Sequence, residues 1–382
     1  MFKPVFYKTG LETTFVQFLK EATMSLTSAL TFEHVMKDSG YGANYSGYGL
    51  AASEYYPGYY QDTGWRPDTG VSANTYYFKG NTATVSNWYQ FHGPSLTVNH
   101  SANSDNTKDR SWFSCKFLVD KPPPECSMLW YQDVPILTAS SFITGVVNSY
   151  AFRADVCVDR LRDEIRVYVD DKLVQTTPFW RKLSRQPTSQ IRFGSNQKIN
   201  LGSSGPLAVY SYFAIWFKDI IFYDDTGDDT LCSPVGDYNI VRLPVVNAAG
   251  TGWTFSGTGP QLTNVLNNIP FNSSNHVTPI ASSPDGTAPL TYGLDVSPLA
   301  DDAVIEGLFT LHNGAAQNTG VTTLRLTYKQ GELATPQQII PYLTPRTYEY
   351  GVKTPIVQKS PANVRWTKQA LAQVSVETVA FR

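Results

Sequence analysis

The sequence predicts an all-β protein organised as two β-sandwich-like domains, and three observations carry that expectation. Short runs of alternating apolar and polar residues recur along most of the chain, while helical periodicity is confined to one segment near the start. Turn formers are spread throughout, with 27 Gly and 24 Pro among 382 residues. Strand runs do not alternate with helices, as a parallel βαβ sheet would require. An apolar content of 42% provides for real cores and excludes general disorder.

The one helical pattern is Leu11 to Leu30, where Leu11, Phe15, Phe18, Leu19, Ala22 and Leu26 recur at three- and four-residue steps. Residues 1–30 are therefore expected as an N-terminal arm or short helix. From Ser111 the strands are clearer. Trp112, Ser114, Lys116, Leu118 and Asp120 alternate with Phe113, Cys115, Phe117 and Val119, giving one apolar and one largely polar face. Pro122-Pro123-Pro124 closes that strand, because proline cannot donate to a ladder. Glu164–Val169, Asp170-Asp171 and Lys172–Thr176 read as strand, turn and strand, a hairpin. Ile191–Phe193, Leu207–Phe217 and Ile220–Tyr223 follow as short strands.

The turn cluster Asp224 to Asp229 marks the expected domain boundary, near Thr226–Leu231. The first sandwich then spans 31–225 and the second, smaller one 232–382. In the second, Tyr238–Leu243, Gly252–Phe255, Val304–Leu311, Thr322–Tyr328 and Leu371–Phe381 are the strand runs. In the last of these, Ala372, Val374, Val376, Thr378 and Ala380 face one way, while Gln373, Ser375 and Glu377 face the other.

Several function classes are excluded. A net charge of −2 gives no footprint for nucleic-acid phosphates. Leu207–Phe217 falls far short of the roughly 20 residues that span a bilayer, so no membrane partner is expected. No secretory signal is read in Met1–Lys8. Cys115, Cys126, Cys157 and Cys232 form no C-x-x-C and sit at no zinc-ligand spacing, so buried thiols are expected. Phosphate loops, dinucleotide loops, H-E-x-x-H and G-x-S-x-G are all absent.

A glycosidase pair needs two acids a few ångströms apart across a cleft. Asp155, Asp159, Asp163 and Glu164 are interleaved with Arg153, Arg160, Arg162 and Arg166, which favours surface ion pairing instead. Asp224, Asp225, Asp228 and Asp229 offer oxygens of the kind Ca²⁺ takes, against the alternative of a solvated interdomain turn. Asn103, Asp105 and Asp109 form a second such group. No other cofactor is called for. Pro178 to Asn200 carries Arg181, Lys182, Arg185, Arg192 and Lys198 without an acid, a solvated face or a site for an anionic neighbour. The rings of Tyr41, Tyr45, Tyr48, Tyr55, Tyr56, Tyr59, Tyr60, Trp65, Tyr76, Tyr77 and Phe78 suit a sugar platform, a subunit interface or an ordinary β core. Trp180 and Arg181 are the further candidates for a glycan-contacting loop.

Ile165-Arg166-Val167-Tyr168-Val169-Asp170-Asp171-Lys172-Leu173-Val174 resembles the V-Y-V-D-G-K-L hairpin of concanavalin A-like (laminin-G-like) jelly rolls, with Asp171 where glycine is common. Phe217 to Gly227 is similar to the closing strand of the version found in minor structural proteins of tailed-bacteriophage virions. Val235 to Pro244 resembles that group's L-G-D-x-x-V-x-x-L-x-P link, and Ser360-Pro361 to Trp366-Thr367 its D-P…W-T turn, with Ser in place of Asp. Val374 to Ala380 is similar to the group's last strand.

The resemblance implies a jelly roll over 31–225 followed by a β domain over 232–382. It implies a non-enzymatic virion component and is silent about its place in the particle; a place on the tail or as capsid decoration, with assembly in the host cytoplasm, is the expectation built on it. The implied partners are other virion proteins and further copies of the chain. It supplies no catalytic residues. The alternative is a carbohydrate-binding module that recognises a host surface glycan.

Overall fold

The computed structural model describes the backbone of residues 25–30 and of six short strands between 50 and 99. It describes the chain from 107 to 381 apart from 121–126, 133, 145–148, 180–182, 184–189, 194–213, 226–232, 242, 257–261, 268–275, 280–285, 287, 316–322, 342–347 and 354–355. Among the described residues the protein is all-β, as the alternation predicts: the strands pair antiparallel except for β4 on β11, and the helices are single turns. Two compact units change over between Gly236 and Asp237.

The strands of the first unit are β1 (Ser25–Leu30), β2 (Leu50–Ala52), β3 (Trp65–Pro67), β4 (Thr75–Phe78), β5 (Asn81–Thr84), β6 (Tyr89–Phe91), β7 (Leu96–Asn99) and β8 (Arg110–Asp120). They continue as β9 (Ser127–Tyr131), β10 (Val134–Thr138), β11 (Ser149–Asp159), β12 (Glu164–Val169), β13 (Lys172–Pro178), β14 (Gln190–Phe193) and β15 (Ala214–Asp225). One sheet runs β13-β12-β11-β8-β15-β6-β3, with β1 on β15, β4 on β11 and β5 on β4. The other runs β10-β9-β14-β7-β2. β10 lies against β12 and β13, so the sheets stack as a sandwich.

The period-2 pattern explains the core. Phe113, Phe117 and Val119 of β8 bury beside Phe152, Ala154, Val156 and Val158 of β11, Ile165 and Val167 of β12, and Phe222 of β15. Phe142, just past β10, packs its ring 4.8 Å from Phe152, which fixes this as the face toward the second sheet. The hairpin between β12 and β13 forms where the turn residues predict it. Asp170 (φ 50°) and Asp171 (φ 70°) are both left-handed, the requirement of a two-residue I′ turn.

Two expectations are corrected. Ser25–Leu30, the end of the expected helix, is a strand on β15. A register shift between Leu26 and Ser28 sets Leu26 opposite Tyr223 and Ala29 opposite Ile221. The bulge thus puts residues three apart on one face, which imitates a helical step. The rest of the expected helix lies outside the described residues. Likewise, Phe217 and Ile220 do not end one strand and start another. β15 runs through them, with a register shift at Asp219, whose φ is 53°.

The second unit comprises β16 (Val245–Ala249), β17 (Trp253–Ser256), α1 (Leu262–Leu266), β18 (His276–Pro279), β19 (Leu290–Leu294), β20 (Leu311–Ala315), β21 (Thr323–Gln330), β22 (Leu333–Ala334), β23 (Gln338–Pro341), β24 (Tyr348–Lys353), α2 (Lys368–Ala372) and β25 (Ser375–Phe381). Its main sheet runs β16-β19-β25-β21-β22, with β23 also on β21, and β17-β18 and β20-β24 form two pairs. Trp366, Tyr328, Leu326, Val376 and Leu371 centre its core. The expected strand from Leu371 is partly helix. Thr367 caps α2 by accepting from the Ala370 N–H at 3.0 Å, Leu371 packs inward, and the strand begins at Ser375. Tyr238–Val241 forms no strand, and Ile305 and Leu308 make single bridges to Trp366 and Val357.

Candidate functional site

The second face of the larger sheet holds the densest chemistry among the described residues. β8 places Arg110, Trp112, Ser114 and Lys116 on it, and β11 places Arg153, Asp155, Cys157 and Asp159. β12 adds Glu164, Arg166 and Tyr168, and β15 adds Tyr223 and Asp225. The register aligns Asp225, Arg110, Asp159 and Glu164 in one row across four adjacent strands. Arg110 Nε donates to Asp159 Oδ2 at 3.0 Å, and its Nη1 lies 3.8 Å from Asp225 Oδ1. Arg166 Nη2 donates to the same Asp159 oxygen at 2.6 Å, and its Nε lies 3.4 Å from Glu164. Asp159 Oδ1 accepts from the N–H groups of Leu161 and Arg162, which closes the β11–β12 turn.

Beside the ion row, Trp112 stacks on Tyr223 with ring centroids 5.5 Å apart. Further along β11, Arg153 Nε donates to Asp155 Oδ2 at 2.8 Å, and its Nη2 pairs with Asp171 at the hairpin tip. Lys116 reaches Asp219 at 3.7 Å.

Of the interleaved charges, Arg153, Asp155, Asp159 and Arg166 are paired and buried, whereas the Arg162–Glu164 pair beside the turn lies on the surface, with the Arg162 side chain 48% exposed. Arg110, Arg153, Asp155 and Asp159 are all 0% exposed. β8 and β11 are interior strands of a wide sheet, buried on both faces, so alternation separates polar from apolar without separating outside from inside.

Burial sets the two β11 carboxyls apart. It pushes Asp155 up, only partly countered by Arg153 and Ser114, and the charge of Asp171 adds to the rise. Burial also pushes Asp159 up, but the Arg110 hydrogen bond and the charges of Arg110 and Arg166 outweigh it and hold this carboxyl below the usual range. An acid and a base with separated affinities are what a glycosidase uses. Here the two sit four residues apart on one strand, about 13 Å at the rise of a β-strand, beyond the roughly 5–9.5 Å such pairs span. Neither is exposed to a substrate. The arrangement fastens strands together; it is not placed for catalysis.

Of the calcium candidates, Asp224 and Asp225 are described: they are consecutive on β15 and point to opposite faces. Asp225 accepts from Trp112 Nε1 at 2.7 Å. Asp228, Asp229, Asn103 and Asp105 lie outside the described residues, and no cluster of three acidic, His or Cys groups able to hold a metal occurs within them. Tyr41, Tyr45, Tyr48, Tyr55, Tyr56, Tyr59, Tyr60, Trp180 and Arg181 also lie outside. Trp65 is placed on β3, and Tyr76, Tyr77 and Phe78 on β4, as backbone only. Cys115 and Cys157 are buried thiols, with Arg166 Nη2 3.8 Å from Cys157 Sγ. No local pattern links Arg110, Trp112 and Asp225 in the sequence, because their partners lie 49 residues or more away.

No family model matches the chain, and no curated protein matches it in sequence. Among solved structures, the botulinum neurotoxin serotype C1 binding domain aligns with a TM-score of 0.27 and 10% identity, over 78% of this chain and 96% of that one. The serotype D ligand-binding domain, solved with N-acetylneuraminic acid, aligns with a TM-score of 0.25 and 10% identity over 81% and 90%. A sialidase aligns with a TM-score of 0.22 and 11% identity over 41% of this chain, which spans 16% of the sialidase. Scores of this size do not establish a shared fold. The sheets themselves define the class, an all-β chain with no catalytic constellation among its described residues.

Proposed function

We propose that the chain is a non-enzymatic binding and assembly protein, and more narrowly a structural component of a tailed-bacteriophage virion, on the tail in preference to the capsid. The observation that carries the non-enzymatic reading is the burial of Asp155 and Asp159 in internal ion pairs, which leaves neither available to a substrate. The narrower reading rests on the resemblance of residues 217–227, 235–244, 360–367 and 374–380 to such proteins. Apolar side chains at turns and sheet edges fit a protein that others cover. Leu161 caps the β11–β12 turn at 56% exposure, Leu173 lies on the edge strand β13, and Leu333 and Ile339 lie on β22 and β23 at 51% and 60%. Permanent assembly contacts favour such residues over charge.

In this role the chain associates with copies of itself and with other virion proteins. The test is sedimentation of the purified chain, alone and with virion proteins, together with a glycan array. Self-association or capture of a virion protein supports the proposal. A chain that stays monomeric, binds no virion protein and binds a surface glycan overturns it in favour of a carbohydrate-recognition module.

A further inference from the structure

We infer that two copies of the chain pair through one face of the β21–β25 sheet, with Arg325 of each copy taking Glu332 of the other. This rests on the self-association put forward above and gives it a surface. Leu324, Leu326 and Tyr328 of β21 turn into the core, so alternation puts Arg325, Thr327 and Lys329 on the opposite face. There Arg325 stands between Val379 of β25 and Ile339 of β23, and Ile339 is exposed.

The Arg325 guanidinium lies over the Phe381 ring, 3.8 Å from its centroid. Its Nε is shut off from solvent without an acceptor, and no carboxylate pairs with it among the described residues. Glu377, the acid opposite Thr327 on β25, is taken by Lys329 at 2.7 Å. The ring holds the guanidinium in place, and its fork matches a carboxylate. The exposed isoleucine beside it supplies the apolar contact that keeps water from such a pair. The site therefore suits a carboxylate brought by another molecule.

The chain carries that complement itself. Glu332 follows β21 in the two-residue turn to β22, exposed and without a partner among the described residues. From Arg325 to Gln330, where β21 ends, is about 17 Å at the rise of an antiparallel strand. Two β21 strands laid face to face in opposite directions bring Arg325 of each to the turn of the other. Both contacts then form at once, as a two-fold pair requires. Between them lie Thr327 and the Lys329–Glu377 pair, which is neutral, so the copies meet there without net repulsion.

The experiment is sedimentation velocity of the full chain as wild type, Arg325→Glu, Glu332→Arg and Asp302→Arg. The first two variants are also mixed in equal amounts. The wild type forms a dimer. Each dimer holds the contact twice, so either charge reversal weakens it by about tenfold or more. In the mixture every reversed group faces the reversed group of the other variant, both contacts regain opposite charges, and the dimer returns. A fold damaged by substitution would not recover on mixing. Asp302→Arg, at another exposed acid without a partner among the described residues, makes the same change in net charge and leaves the dimer intact. A monomeric wild type, variants that dimerise as the wild type does, or a mixture that stays dissociated overturns the proposal. Variants that dimerise normally strike this surface alone and leave self-association standing, whereas a monomeric wild type removes self-association as well.

Discussion

The Trp112 indole N–H donates to Asp225 Oδ2 at 2.7 Å, across 113 residues of sequence. The bond ties the end of β15 to the start of β8, where Asp225 also faces Arg110. It fixes the last strand of the first unit against its central strand. It also takes the carboxylate that the sequence offered to calcium and commits it to the fold.

Trp112→Phe keeps a ring against Tyr223 but removes the indole donor from Asp225 Oδ2. A buried acceptor that loses its partner costs about 1–3 kcal/mol. Urea unfolding of the variant is expected to show that loss. A change under about 0.5 kcal/mol would mean that the hydrogen bond contributes nothing net beyond packing.

Asp159→Ala leaves Arg110 and Arg166 buried without their shared carboxylate and opens the turn that Asp159 closes. Removing one partner of a buried ion pair costs about 3–5 kcal/mol. The exposed pair of Lys368 and Asp301 is the control, and Asp301→Asn is expected to leave the unfolding midpoint unchanged. Equal effects at the two sites would contradict the burial argument.

The contrast between these sites also shows what the sequence made legible. Period-2 alternation placed β8, the β12–β13 hairpin and the buried Val376, Thr378 and Ala380 of β25, because each signal lies within a few consecutive residues. Bulges defeated the same reading at Leu26 and at Asp219, where an extra residue changes the face. The Thr367 cap turned Lys368–Ala372 into a helix despite the alternation around it. The charges of Arg153, Asp155, Asp159 and Arg166 were visible as pairs. Their burial was not, since it depends on what lies over the sheet and not on local pattern.

Acid should separate the two β11 carboxyls. Asp159 is held below its unfolded value of about 3.9, so its contribution is complete above about pH 4 and lost as pH falls through the folded value. Asp155 is held above its unfolded value, so its contribution is complete below about pH 4 and lost as pH rises through the folded value. Unfolding free energy measured from about pH 2 to about pH 7 should therefore rise less steeply for Asp159→Asn than for the wild type. Parallel curves for the two proteins would show that Asp159 has the same proton affinity folded and unfolded.

In the second unit, Gly286 is expected to tolerate no side chain. Its φ of +92° lies where L residues are strained, and a Cβ built there would stand 2.7 Å from Val379 Cγ1 and 2.9 Å from the Phe381 ring. That ring cannot yield freely, because the Arg325 guanidinium lies 3.8 Å from its centroid and β25 pairs with β21 along its length. Overpacking of this kind costs about 1–3 kcal/mol, and the backbone strain adds to it. Gly331 provides the comparison, with a φ of +59° and open space where its Cβ would go. Gly331→Asn retains the left-handed turn at little cost, since asparagine enters that region readily. Thermal unfolding should place Gly286→Ala well below the wild type and Gly331→Asn beside it. If Gly286→Ala melts with the wild type, the packing of β25 against the segment before β19 is looser than these distances imply.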